Sequence, residues 1–179
     1  MILSWGVLAV TPEAPQRTSS DDPDLGGPED PLVDVVLVRY PLRLGARSSQ
    51  HYEEVFREFA LLSATAPQAD DSIPTRLLAL IDALGRRYAP QQAYEEERDA
   101  ALRRGESSRD FTISLPASAA EASSTLDRML DETDAYCRDG TLLTLGAPSD
   151  VVAFRRWYLR QVIDQAAGAA PLPWPGELR

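Results

Sequence analysis

The stretch Phe111 to Leu145, FTISLPASAAEASSTLDRMLDETDAYCRDGTLLTL, changes its hydrophobic period twice, and those changes decide the fold class. Phe111, Ile113 and Leu115 alternate with Thr112 and Ser114, the pattern of a strand with one buried face, and Pro116 stops it. From about Ala117 to Tyr136 the spacing becomes helical, through Ala119, Ala122, Leu126, Met129, Leu130 and Thr133, with Gly140 as a C-terminal stop. Leu142, Leu143 and Leu145 then read as a short strand. Such a strand–helix–strand unit crosses over right-handed if its strands are parallel.

Working outward, Val33, Val35, Val36, Leu37 and Val38 form a β-branched run between Pro31 and Pro41, which reads as a buried strand. Ser48 or Ser49 is placed to cap a helix in which Tyr52, Val55, Phe56 and Phe59 recur at helical spacing. Asp71, Ser72 and Pro74 open a second helix with a Leu77, Ile81, Leu84 and Tyr88 stripe, limited by Gly85 and Pro90. Gln91 to Arg104 is charged nearly all round, which predicts a solvent-facing helix ended by Gly105. Downstream, Gly146 and Pro148 turn the chain, Ser149 caps, and Val151, Phe154, Tyr158 and Val162 line a final helix ending near Gly168. This order predicts an α/β or α+β fold, a small mainly parallel or mixed sheet of three to four strands with about five helices packed on it. A helical bundle with incidental strands is the competing fold.

With 179 residues the chain has the length of one domain plus a flexible segment. The expected division is an apolar segment at 1–10, an acidic Pro-rich linker at 11–31, a single αβ domain at 32–168 and a Pro/Trp tail at 169–179. MILSWGVLAV lacks the basic flank of a signal peptide and is too short to span a bilayer, so it reads as an edge strand or a segment docked on the core. The net charge of -10 argues against nucleic acid and anionic membranes as partners. In the linker six carboxylates stand against Arg17 alone, so about half of that charge belongs to the linker and the domain is only mildly acidic. All 18 positive charges are arginines, and Asn is also absent, a mark of GC-rich coding. One cysteine, Cys137, makes no intramolecular disulfide, which leaves a cytoplasmic location as the default.

The chemical inventory is mostly negative. One His and one Cys exclude closed zinc sites built from four such ligands, and there is no phosphate-binding glycine loop, HExxH helix or GxSxG elbow. Neither a metal nor a cofactor is expected. Asp131, Glu132 and Asp134 crowd one stretch, yet their spacing follows from the apolar face opposite them. His51 reads as a solvated helix-start residue rather than the base of a dyad with Cys137, whose place near a helix C-terminus disfavours a thiolate.

The distinctive segment is FRRWYLR at Phe154 to Arg160, followed by PLPWPG at Pro171 to Gly176. Phe154, Tyr158 and Val162 face one way, so Arg156 and Arg160 form a ridge on the other side with Trp157 between. Trp and Arg stems of this kind commonly cover a protein's own core; they are also the residue types enriched in interface hot spots. A Pro-rich tail around Trp174 is pre-extended for docking, onto its own domain or onto another protein.

LLTLGAPSDVVAFRRWYLRQVIDQAAGAAPLPWPG, from Leu142 to Gly176, and HYEEVFREFALLSA, from His51 to Ala64, resemble small uncharacterised actinobacterial proteins encoded beside anti-sigma kinases and their antagonists, the partner-switching regulators of transcription. The resemblance covers about two thirds of the chain and carries no catalytic residues; it implies a regulatory, protein-binding role. The leading expectation is a non-enzymatic cytoplasmic module that binds another protein through Arg156, Trp157, Arg160 and Trp174. The alternative is a small-molecule enzyme or sensor with a pocket at the carboxyl edge of the sheet, lined by Arg39, Tyr40, His51 and Ser114. A structural subunit of a larger assembly is the third reading.

Overall fold

The computed structural model describes residues 30–65, 75–80, 92–138 and 146–177. Its elements run β1 (Leu32–Pro41), α1 (Leu42–Thr65), α2 (75–80), α3 (Gln92–Arg103), β2 (Ser108–Pro116), α4 (Ala119–Arg138) and α5 (Ser149–Ala166). Among the described residues the fold is α+β, with five helices and a two-stranded antiparallel sheet. The mainly parallel sheet of three to four strands is therefore corrected. The reason lies in how the helices return the chain: Ser107 accepts a hydrogen bond from Leu42 N (3.1 Å), so β2 starts where β1 ends and runs back until Ala117 N reaches Pro31 O (2.9 Å). The expected third strand, Leu142 to Leu145, the N-terminal segment 1–10 and most of the linker lie outside the described residues.

Both strands bury one face. Val35 and Leu37 on β1, and Phe111, Ile113 and Leu115 on β2, point into the core, while Asp34, Thr112 and Ser114 face out. The register slips between Leu37 and Tyr40, where one extra β1 residue forms a bulge at Arg39, a non-glycine residue with φ 57°. Asp110 Oδ1 accepts from Arg39 N (2.7 Å) and holds the bulge. Its effect is to keep Tyr40 inward, where the ring meets Tyr94, Phe111 and Phe154 edge-on at 5.2–5.8 Å.

Helix α1 starts directly after Pro41, six residues earlier than the expected cap. Burial of Leu42 and Leu44 explains the early start, and Ser48 and Ser49 lie buried inside the helix instead of at its end. Gly45 belongs to the same turn, and an added Cβ there would lie 2.1 Å from the Tyr40 hydroxyl. Helix α3 is not solvent-facing all round: Tyr94, Arg98 and Ala101 form a buried stripe, with Arg98 Nη1 donating to Ser49 Oγ (3.3 Å). Pro148, not Ser149, is the N-cap of α5, and it makes no side-chain cap bond.

Candidate functional site

Helix α5 contacts β1, α1 and α4, so its side chains decide how the layers sit together. Val151, Phe154, Tyr158, Leu159 and Val162 are buried, as is Arg155, whose side chain is 0% exposed. Arg155 Nε donates to Asp127 Oδ1 (3.2 Å), Nη1 donates to the Tyr52 hydroxyl and Asp134 Oδ2 (both 2.8 Å), and Nη2 donates to Asp131 Oδ1. Asp127, Asp131 and Asp134 recur at spacings of four and three along α4, so one face of that helix clasps a single guanidinium. The Arg155 guanidinium also lies over the Tyr52 ring, 5.8 Å from its centroid. Burial pushes the Tyr52 phenol well up, against the pull of Arg155, so it stays protonated and hydrogen-bonding at neutral pH. The carboxylate crowd noted in the sequence is thus an ion-pair network, and among the described residues no cluster has the makings of a metal site.

Nearly three turns further along α5, Gln165 bonds the backbone of β1 as another strand would. Its Oε1 accepts from Val36 N (2.8 Å) and its Nε2 donates to Val36 O (2.9 Å). Both Val36 groups therefore point away from β2, and a glutamine amide covers the edge that would otherwise be open. Gln161 Oε1 accepts from Gln165 Nε2 (3.2 Å) and from Leu172 N (2.8 Å), joining helix, strand and tail.

The tail returns onto the domain. Gly168 has φ 87°, Gly168 N donates to Gln165 O and Ala169 N donates to Asp164 O (both 2.9 Å), the pair of bonds of a Schellman helix end. Beyond it Trp157 Nε1 donates to Leu172 O (3.1 Å) and Trp174 N donates to Val38 O (2.9 Å). Trp174 is 5% exposed, its ring 5.5 Å from Trp157 and 5.9 Å from Phe154. Of the four residues singled out for partner binding, Trp174 is therefore in the core and Trp157 half-buried against it. Arg156 and Arg160 have side chains 57% and 74% exposed, paired with Asp131 (2.9 Å) and Asp164 (3.3 Å). Leu172, between Pro171 and Pro173, is 60% exposed although its backbone is bonded at both N and O.

The residues of the alternative pocket do not converge. Tyr40 is fully buried on the inner side of β1, whereas Ser114 is exposed on the outer face of β2, its hydroxyl donating to Asp34 Oδ1. Arg39 is exposed at the bulge, and His51 is half-buried on α1 with its ring 5.0 Å from Tyr52. Burial lowers the His51 pKa, which keeps its imidazole neutral, and burial pushes the Cys137 thiol up to about 11, so Cys137 is not a thiolate nucleophile at neutral pH.

Sequence reasoning missed Arg155, Asp127, Gln161 and Gln165, and it placed Tyr52 on the apolar stripe of α1 without its bond to Arg155. The available signal was positional: Arg155 sits within the Val151–Tyr158–Val162 stripe, and three aspartates share one face of α4. No protein-family model, curated protein or solved structure matches the chain.

Proposed function

We propose that this chain is a non-enzymatic regulatory module of the cytoplasm that binds another protein through α5 and the Pro-Trp tail. One observation carries the reading: a helix locked from behind by the Arg155 network presents Arg156, half-buried Trp157 and Arg160 on its other side, and runs into a pinned tail bearing Leu172 in the open. Aromatic and arginine side chains on a rigid support are the composition of an interface hot spot, and rigidity lowers the entropy lost on binding. Trp174 serves this face from beneath by fixing the tail. Among the described residues no helix is long and apolar enough to cross a membrane.

The test is capture of the tagged full-length chain from its native host, identification of the stoichiometric partner, and titration of that partner in purified form. Arg156→Ala with Arg160→Ala should weaken binding by at least about tenfold, in the range of loss usual for two hot-spot arginines, with an unchanged melting temperature. A partner that binds the double variant as tightly as the parent would remove this face from the interface. A folded monomer that binds no protein would end the reading.

A further inference from the structure

The groove under the tail shows, by what fills it, what it can bind. Its donors and acceptors all address backbone: Gln161 Oε1 takes Leu172 N–H, Trp157 Nε1 reaches Leu172 O, and Val38 O takes Trp174 N–H. The tail uses its N–H groups at alternate residues, 172 and 174, and Pro171, Pro173 and Pro175, which have none, fall at the other positions. A single side chain, the Trp174 ring, enters the core between Phe154 and Trp157. One main-chain bond to the β1 edge, two bonds from the tail backbone to α5 side chains and one pocketed ring form a mode of peptide recognition that another chain of similar sequence can satisfy.

The resident ring is also an imperfect occupant. Trp174 Nε1 is buried with no hydrogen-bond partner, and a phenylalanine in that place would leave no donor unmet. Gly176 passes so close that an added Cβ would lie 2.6 Å from the indole.

We propose that this groove is a docking site for an extended segment of a partner protein in which a large aromatic residue stands between prolines, and that the tail is its resident competitor, released when the partner binds. The inference rests on the partner-binding reading above for the α5 ridge alone and names the partner's chemistry: on that face the partner's segment takes the place of the tail, Leu172 included. The helix end at Gly168, closed by its bonds to Gln165 and Asp164, directs each tail back onto its own domain, which favours a segment of a different protein over a second copy's tail as the occupant.

The experiment uses full-length protein carrying Trp174→Ala, which empties the ring position, and capped nonapeptides as probes: AAPLPWPGE, the sequence of residues 169–177, and versions with Phe or Ala in place of the Trp. Calorimetric titration should show the Trp peptide binding the variant and raising its melting temperature, the Phe peptide binding at least as tightly, and the Ala peptide not binding. The unaltered protein should bind more weakly by the ratio of the tail's effective concentration, on the order of millimolar, to the peptide's Kd for the variant, about 100-fold for a Kd of about 10 μM. Should Trp174→Ala fail to fold, Trp174→Leu takes its place. In the unaltered protein, peptide at about ten times that effective concentration should speed hydrogen exchange at the Leu172 and Trp174 amides.

Folded variants that ignore the Trp peptide, parent and variant that bind it equally, or tail amides indifferent to it would each overturn the proposal. So would a tail-exchanged dimer detected by light scattering, which would make a second copy the occupant. These titrations involve no cellular partner, so the groove and the Arg156–Arg160 ridge stand or fall separately.

Discussion

Arg155→Met tests whether the guanidinium buried on α5 holds the fold together. Methionine keeps the stem's apolar volume, so the cavity left behind is small and the change isolates the charge. The three carboxylates lose their partner unequally. Asp127 and Asp131, with side chains 33% and 43% exposed, regain water, and Asp131 keeps Arg156, so each accounts for less than about 1 kcal/mol. Asp134, 4% exposed, is left buried beside Tyr52 without its 2.8 Å partner, and breaking a buried pair from one side costs about 3–5 kcal/mol. At about 2–4 °C per kcal/mol for a domain of this size, the melting temperature should fall by about 6–20 °C. Thermal and urea denaturation followed by circular dichroism, at low and at 0.5 M salt, is the assay. A buried pair is screened weakly, so the loss should persist at high salt. Adding Asp134→Leu should restore most of the stability, because removing both members of a buried pair is often neutral, and a double-mutant cycle should return a coupling of about 2 kcal/mol or more. The reasoning is refuted if Arg155→Met costs less than about 2 °C, or if the second substitution adds to the damage instead of relieving it.

Three further outcomes follow from the same contacts. Gln165→Ala strips the cover from Val36 N–H and C=O, and should cost about 1–3 kcal/mol in urea titration and raise light scattering on heating as the β1 edge opens. His51 has its pKa lowered by burial, with Arg155 adding to the lowering and Asp134 and Glu54 opposing it, so the unfolded chain takes up its proton first as pH falls. Its contribution to stability is present above about 6.5 and is lost as pH drops through the folded value, and His51→Gln should flatten that slope in melting curves from pH 7.5 to 5. Cys137, buried and with its thiol pushed up to about 11, should react with a disulfide reagent at pH 8 about two orders of magnitude more slowly in the native protein than in urea.

What the sequence made legible and what it hid divide along one physical line. Period is set by burial of apolar side chains, so the strands at Val33–Val38 and Phe111–Leu115 and the stripe Val151, Phe154, Tyr158 and Val162 on α5 could be read directly. Polar residues placed in the core could not, because a buried Arg155 or Arg98 has the same letter as a solvated one; Arg98 made α3 look exposed on every side although Tyr94 and Ala101 bury the same stripe. Strand direction was hidden for a related reason. It is fixed by where the helices bring the chain back, and here Leu42 N meets Ser107 O, a contact that no local pattern encodes. The same distinction bears on function. Arg156 and Arg155 are neighbours in sequence, yet one is the hub of an internal ion network and the other lies on the surface, sharing Asp131 with it. The ridge is thus tied to the core through one carboxylate: a partner that draws Arg156 off Asp131 leaves that carboxylate to Arg155 and strengthens the pair behind it. Binding at this face should therefore stiffen the α4–α5 contact, visible as slower hydrogen exchange in α4 from Asp127 to Asp134 in the complex, and an α4 that exchanges equally fast with and without partner would sever that link.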